Sequence, residues 1–148
     1  MSPFPESETA SRRLVRPNEV HDDHVISSAT QFIGTPTVFV FWSVWCHTCS
    51  EALDDLDAWL ATNSERSLNV VAINSDGEAR RSDAREYALR ENRAYGVYFI
   101  SDEAHGELNP RGYTPTICIA DRDGSQAARF VGYSPEHKTE LFAEIDRL

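Results

Sequence analysis

Cys46 and Cys49 are the residues of this sequence whose type and spacing point most directly to chemistry. A disulfide requires Cα atoms about 5.5 to 6 Å apart. Residues three apart in the first turn of a helix lie on one face at close to this spacing. The pair is therefore predicted to form and open a disulfide without unfolding of the chain, which is the chemistry of thiol-disulfide exchange.

The two cysteines are predicted to differ in role, because Cys46 would begin a helix and Cys49 would lie one turn inside it. Unpaired N–H groups and the helix dipole favour an anion at a helix start, so Cys46 is the predicted nucleophile. Cys49 would be shielded and is predicted to resolve the mixed disulfide that Cys46 forms with a substrate. Trp45, which precedes the pair, is expected to pack beside it.

The charges around the motif leave its reduction potential open. A protonated His47, between the two cysteines, would stabilise the Cys46 thiolate, although a solvated and neutral His47 is the simpler expectation. The acids that follow on the same helix would disfavour the thiolate: Glu51, Asp54 and Asp55.

A zinc site is an alternative for a C-x-x-C pair, and it needs two further Cys or His ligands. The sequence has no second C-x-x-C and no H-x3–5-H, and the closest histidines are His21 and His24. The sequence therefore predicts no metal and no cofactor other than the redox-active disulfide. Cys118 lies in an apolar run and is predicted to be a core residue.

The net charge and the start of the sequence indicate which partners and which compartment to expect. Fourteen basic against 24 acidic residues give a net charge of −10, which repels phosphate backbones, so nucleic-acid binding is not expected. No apolar run approaches the roughly 18 to 20 residues of a membrane span. Met1 to Pro17 shows no signal peptide, which predicts a cytoplasmic protein, or a periplasmic one if a leader or anchor has been removed. A monomer is expected.

Alternating strands and helices are predicted to position the cysteines. The apolar run Thr37–Val44 predicts a central strand that leads into Cys46, and an apolar stripe predicts a helix from there to about Ala61. The next predicted elements are a strand at Asn69–Asn74, a helix from Glu78 to about Arg93, a strand at Gly96–Ile100 and one helical turn within Ser101–Gly112. This alternation predicts a parallel sheet with right-handed crossovers.

The last third of the chain is predicted to add an antiparallel hairpin, which makes the sheet mixed. Pro115–Ala120 and Ala127–Gly132 flank the turn signal Asp121–Gly124. A closing helix is predicted from Ser134-Pro135 to Leu148. Residues 1–19 are polar and proline-bearing, which favours a flexible tail, and residues 20–148 are predicted to form one domain.

With this motif and this order of elements, the chain resembles the thioredoxin superfamily, and within it the TlpA/ResA and cytochrome-c-maturation (CcmG-like) thiol-disulfide oxidoreductases. Phe41–Cys49 is similar to the family's F-W-A-x-W-C-x-x-C signature. Thr48 is similar to the residue before the second cysteine in the cytochrome-maturation branch, which implies a part in redox tuning beside His47. The resemblance implies a thioredoxin-like three-layer α/β fold, with a mixed central sheet flanked by helices and an insertion near residues 94–112.

Tyr113–Thr116 resembles the family's loop in which a cis-proline faces the C-x-x-C pair. The resemblance implies that Thr114-Pro115 is a cis peptide bond and that Trp45, Thr114 and Pro115 bind an extended substrate. Without the resemblance, an ordinary trans proline that begins a strand would be expected.

One departure from the thioredoxin pattern concerns the proton acceptor. Val40 stands where thioredoxin has a buried Asp. Many relatives in this branch use an acid after the next strand instead, which implies Asp76 or Glu78 as the acceptor. The alternative is that Asp76-Gly77 forms a turn and that Glu78 caps a helix.

Two functions from different classes follow. The first is a thiol-disulfide oxidoreductase that exchanges electrons with protein cysteines, as a reductase or relay rather than a primary oxidant. The second is a non-catalytic module that holds a peptide at Thr114-Pro115 and has a structural disulfide. A peroxidase of the peroxiredoxin type would use Pro-x3-Thr/Ser-x2-Cys; Ser43 fits this pattern, but Phe39 replaces the proline.

Overall fold

A computed structural model describes residues 25–26 and 32–148 of the chain. The tail predicted at residues 1–19, the two neighbouring histidines His21 and His24, and most of the segment between positions 20 and 34 lie outside the described residues. Within the described part, no helix has the length and apolar character needed to cross a membrane.

A mixed β-sheet forms the centre of the fold. Its strands are β1 (Val25–Ile26), β2 (Thr37–Trp42), β3 (Asn69–Asn74), β4 (Phe99–Ile100), β5 (Thr116–Ala120) and β6 (Gln126–Val131). Four of them run in the order β3-β2-β5-β6, in which β3 is parallel to β2, and β5 is antiparallel to both β2 and β6. The parallel pair β1-β4 joins this sheet through a single bridge between Ile73 and Tyr98. The predicted mixed sheet is confirmed.

Helices cover both faces of the sheet. They are α1 (His47–Thr62), α2 (Arg81–Glu91), α3 (Asp102–Leu108) and α4 (Pro135–Asp146). Successive side chains of β2 point to opposite faces. The Trp42 ring packs on Tyr87 of α2, with centroids 4.9 Å apart, whereas the neighbouring Phe41 ring meets His105 of α3 at 5.7 Å. Since α2 and α3 thus lie on opposite faces, the three-layer arrangement is confirmed.

Strand β2 is central because all six of its residues are buried and both of its edges are paired. It ends at Trp42, two residues before the predicted end. The reason is a change of partner: the N–H of Val44 donates to the carboxylate of Asp76, at 3.0 Å, rather than to a strand.

Other element boundaries also differ from the sequence predictions. Only Phe99 and Ile100 of the predicted strand Gly96–Ile100 are regular strand residues, and Tyr98 adds the single bridge. The predicted helix at Glu78–Arg93 is a 3-10 turn at Glu78–Arg80 followed by α2. The single turn predicted within Ser101–Gly112 is a longer helix, α3, whose first turn is capped by the Ser101 hydroxyl.

Candidate active site

The end of β2 and the start of α1 place Cys46 at the entrance of the site. After β2 the chain turns, and the N–H of Cys46 donates to the carbonyl oxygen of Ser43 at 3.1 Å. Cys46 is the N-cap of α1, with extended backbone angles, and its Sγ accepts the N–H of Cys49 at 3.2 Å. The prediction that the cysteines open a helix is confirmed.

Cys46 and Cys49 are joined by a disulfide, and their Cα atoms are 5.2 Å apart. Cys49 is only 1% exposed, because α1 packs this side of the helix on the sheet, whereas Cys46 is partly exposed. A sulfur atom from outside therefore meets Cys46 first. This asymmetry agrees with the predicted division into a nucleophile and a resolving cysteine.

Trp45 lies at the surface, directly before the cysteine pair in the chain. Its side chain is 74% exposed, and the guanidinium of Arg80 lies 5.3 Å from the ring centroid. This geometry is a cation-π contact on the surface. Trp45 therefore offers an aromatic face to solvent immediately before Cys46.

His47 and Thr48 are both exposed between the cysteines. The Thr48 hydroxyl lies 3.6 Å from the Sγ of Cys46, within reach of a weak hydrogen bond to sulfur. His47 Nε2 lies 3.4 Å from a carboxylate oxygen of Glu51, one turn along α1. Because both partners of this pair are well exposed, solvent screens it and it is worth little. The redox-tuning roles of His47 and Thr48 stay predictions.

The other acids near the cysteines are held by partners across the fold. Arg93, only 5% exposed, donates through Nε and Nη2 to the same oxygen of Asp54, at 3.0 and 2.8 Å. The hydroxyl of Tyr133 donates to Asp55 at 2.7 Å, and Lys138 Nζ lies 3.4 Å from the same oxygen. Burial and this hydrogen bond raise the pKa of Tyr133, so it stays a donor. These contacts offset part of the repulsion that the carboxylates of Asp54 and Asp55 would exert on a thiolate at Cys46.

The peptide bond between Thr114 and Pro115 is cis, as the resemblance implied. Pro115 is buried immediately before β5, and the first residue of β5, Thr116, pairs with Phe41 of β2. One further step in this antiparallel register sets Pro115 level with the end of β2. The cis-proline therefore lies at the end of the sheet from which the chain continues to Cys46.

Two side chains fix the loop before the cis-proline. The carbonyl oxygen of Tyr113 accepts hydrogen bonds from the Thr116 hydroxyl, at 2.7 Å, and from the amide of Asn109, at 3.1 Å. Asn109 is buried, whereas the Tyr113 ring is more than half exposed. The backbone at Thr114 thus lies between the hydrogen-bonded carbonyl group of Tyr113 and the start of β5. Substrate binding by Thr114 and Pro115 stays a prediction.

Asp76 and Glu78, the predicted proton acceptors, have different surroundings. The Asp76 carboxylate accepts from the Ser43 hydroxyl and from the N–H of Val44. Gly77 has a φ of +91°, which favours glycine and marks a turn at this point. Glu78 is exposed at the start of the 3-10 turn and lines a cavity of about 360 Å³. The acceptor role of either acid stays a prediction.

Cys118 occupies the buried strand position expected for it, in β5. Arg129 of the neighbouring β6 donates to its Sγ at 3.1 Å. Burial, partly opposed by the charge of Arg129, raises the pKa of the Cys118 thiol to about 11. The folded protein thus holds this proton longer than the unfolded chain, so the associated stability is present below the ordinary thiol pKa and is lost as pH rises toward about 11.

We expect iodoacetamide at pH 8 to alkylate Cys46 of the reduced native protein and to leave Cys118 unmodified, because only thiolates react and Cys118 is both protonated and buried. Mass spectrometry of the digested protein measures both sites. A sample unfolded in urea is the control and should take label at Cys118. Labelling of native Cys118 at the rate of Cys46 would contradict this assignment.

The sequence predictions missed Ser43 as a member of the site. Its hydroxyl donates to Asp76 at 2.5 Å and accepts the N–H of Trp45 at 3.2 Å. A signal was present, because Ser43 stands where the family signature has Ala. Among the described residues, no group of three or more His, Cys, Asp or Glu side chains is arranged to hold a metal ion.

Comparison with known proteins agrees with this geometry. Residues 17–130 match the AhpC/TSA family. The thiol-disulfide oxidoreductase YkuV of Bacillus subtilis (strain 168) is 29% identical over 98 residues, which cover 64% of this chain and 66% of YkuV, just under two thirds of that relative.

Two solved structures from Chlorobium tepidum have the same fold. One, which carries the provisional name thiol:disulfide interchange protein DsbE, superposes with a TM-score of 0.66 at 25% identity and covers 78% of this chain and 81% of its own. The other, a thiol:disulfide interchange protein of the thioredoxin family, has a TM-score of 0.66 at 17% identity and covers 95% of this chain and 96% of its own. The predicted thioredoxin-like fold is confirmed.

Proposed function

Because the chain belongs to the AhpC/TSA family, we propose that it is a thiol-disulfide oxidoreductase that exchanges electrons with cysteines of other proteins through Cys46 and Cys49. The observation that carries this proposal is the disulfide at the start of α1, with one sulfur partly exposed and the other buried. The electrons are carried by these two sulfur atoms, so the reaction needs no other cofactor.

In the reducing direction, the Cys46 thiolate attacks one sulfur of a substrate disulfide. A bond forms between Cys46 and that sulfur, and the second substrate sulfur leaves as a thiolate, which takes up a proton. Cys49 then loses its proton and attacks the Sγ of Cys46, which releases the first substrate sulfur as a thiolate. Two electrons have then passed from the cysteine pair to the substrate, and Cys46 and Cys49 are again a disulfide.

The substrate is held by the groups around the pair. An extended segment of the partner protein would lie against the backbone at Thr114, where the loop is fixed, and beside the exposed ring of Trp45. Main-chain hydrogen bonds of this kind give affinity without strong sequence selection. We favour the reductase or relay direction and a monomeric protein.

The reduction potential of the pair tests the proposal against the rival, a peptide-binding module with a structural disulfide. We expect equilibration with glutathione buffers to give a potential above about −300 mV, and the reduced protein to reduce insulin. A pair that stays oxidised in these buffers would favour the rival, because structural disulfides typically lie below about −300 mV. Hydrogen peroxide in place of insulin is the control for a peroxidase. Phe39 replaces the proline of the peroxidase motif and the Ser43 hydroxyl is bound to Asp76, so we expect peroxide to be consumed no faster than by a free thiol.

A further inference from the structure

We propose that Ser43 and Asp76 form a positioning pair that holds the turn carrying Cys46 in its reactive arrangement. The proposal deepens the proposed function and rests on it, because it concerns the nucleophile of that reaction. It gives Asp76 a task different from accepting a proton, and it gives Ser43 a task that an alanine at the same position could not perform.

Asp76 holds the turn through both of its carboxylate oxygens. Oδ1 accepts the Ser43 hydroxyl at 2.5 Å. Oδ2 accepts the N–H of Val44 at 3.0 Å and the side-chain amide of Asn74 at 2.8 Å. Asn74 is the last residue of β3, so the carboxylate connects the turn to a strand of the central sheet.

Ser43 passes this restraint on to Cys46. While its hydroxyl donates to Asp76, the same oxygen accepts the N–H of Trp45 at 3.2 Å. Its carbonyl oxygen accepts the N–H of Cys46 at 3.1 Å. The Asp76 carboxylate and Ser43 thus bind the backbone N–H groups of three consecutive residues, those at positions 44, 45 and 46. Cys46 is thereby held as the N-cap of α1, with its Sγ on the N–H of Cys49.

This geometry matters for reactivity because a backbone N–H directed at sulfur stabilises the thiolate, which is the nucleophile. If the turn loosens, Cys46 spends less time in this position. The negative charge of Asp76 acts in the opposite direction, since a nearby carboxylate disfavours a thiolate. Replacing Ser43 changes no charge, so it separates the positioning effect from the electrostatic one.

The test is the second-order rate at which iodoacetamide alkylates Cys46 of the reduced 148-residue chain at pH 7. Ser43→Ala and Asp76→Asn are each expected to slow alkylation roughly three- to tenfold, the effect of about one lost hydrogen bond. Because both changes break the same contact, the double variant should lie within about twofold of the slower single variant. Ser43→Thr, which keeps a hydroxyl, should recover most of the rate.

Two matched controls come from the same chain. Ser75→Ala removes the neighbouring hydroxyl, which contacts His105 rather than the turn, and Glu86→Gln removes an exposed charge on α2. Both should alkylate at the rate of the unaltered protein. Thermal unfolding of every variant is measured alongside, because slower alkylation at an unchanged melting temperature shows that the positioning of Cys46 is lost rather than the fold.

The positioning pair would be overturned if Cys46 of Ser43→Ala were alkylated at the rate of the unaltered protein. It would also be overturned if the rate losses of the two single variants multiplied in the double variant. A faster reaction of both Asp76→Asn and Ser43→Ala would do so too, because the contact would then hinder Cys46 rather than hold it in its reactive position. Alkylation does not require a substrate disulfide. If the coupling is present but the unaltered protein reduces no disulfide, the proposed function is wrong and the positioning pair stands.

Discussion

Replacing Cys46 by serine is expected to reduce the rate of insulin reduction to that of the reaction without protein. The serine hydroxyl does not ionise near neutral pH, so the variant has no nucleophile at the start of α1. Cys49 does not substitute for it, because its side chain is 1% exposed and lies on the inner side of the helix. The turbidity of the precipitating insulin B chain, with dithiothreitol as the electron donor, measures the rate.

Cys118→Ala is the matched control for this prediction, since it also removes one thiol from the chain. Cys118 is buried in β5 and far from solvent, so this variant should retain most of the activity, with a small loss of stability for the lost side-chain volume. Activity of Cys46→Ser near that of the unaltered protein would show that the assignment of the nucleophile is wrong. Loss of activity in Cys118→Ala without unfolding would implicate the third cysteine instead.

The sequence predicted the parts of the fold that depend on local patterns. The uninterrupted apolar run of β2 does not alternate with polar residues, so a strand buried on both faces is its simplest explanation. The hairpin followed from Asp121–Gly124, where Gly124 adopts a φ of +90° and closes the turn by donating to Asp121. The position of Cys46 at a helix start followed from the apolar stripe that comes after it.

The contact between Ser43 and Asp76 was not predicted, because no local period encodes contacts between distant parts of the chain. Asp76 lies 33 residues after Ser43, and the two meet only because β2 and β3 run parallel in the register that pairs Trp42 with Asn74. That register sets the residues just beyond both strands side by side. The sequence pattern shows that β3 follows β2, but it does not show which hydroxyl the acid will meet.

The same reason explains the ends of the secondary structure that the sequence misplaced. Ser43 and Val44 continue the run of residues that favours a strand. However, the hydroxyl of Ser43 and the backbone N–H of Val44 both donate to the carboxylate of Asp76. The side chain of Asp76, in the loop that follows β3, thus competes with strand pairing and ends β2 at Trp42. The strand is therefore shorter than its apolar run, because the chain turns at Ser43 and Val44 to reach Cys46.

The second large effect is expected for Cys49→Ser, which should accumulate mixed disulfides between Cys46 and protein substrates. In the unaltered protein, the sulfur of Cys49 attacks the Sγ of Cys46 from inside the helix, and the two Cα atoms are already 5.2 Å apart. The serine oxygen at this position is no longer a nucleophile for sulfur, so the second step stops while the first continues. Non-reducing electrophoresis of the variant mixed with an oxidised test protein should show a new band that dithiothreitol removes.

The control for this trapping is the double variant Cys46→Ser, Cys49→Ser, which keeps Cys118 and should form no adduct. Mass spectrometry of the trapped band should place the bond at Cys46, because the thiol of Cys118 stays protonated well above neutral pH. An adduct on Cys118, or release of reduced substrate by Cys49→Ser at the rate of the unaltered protein, would contradict the resolving role. Since the variant changes only the inner sulfur, the trapped partners would also identify the proteins that Cys46 meets first.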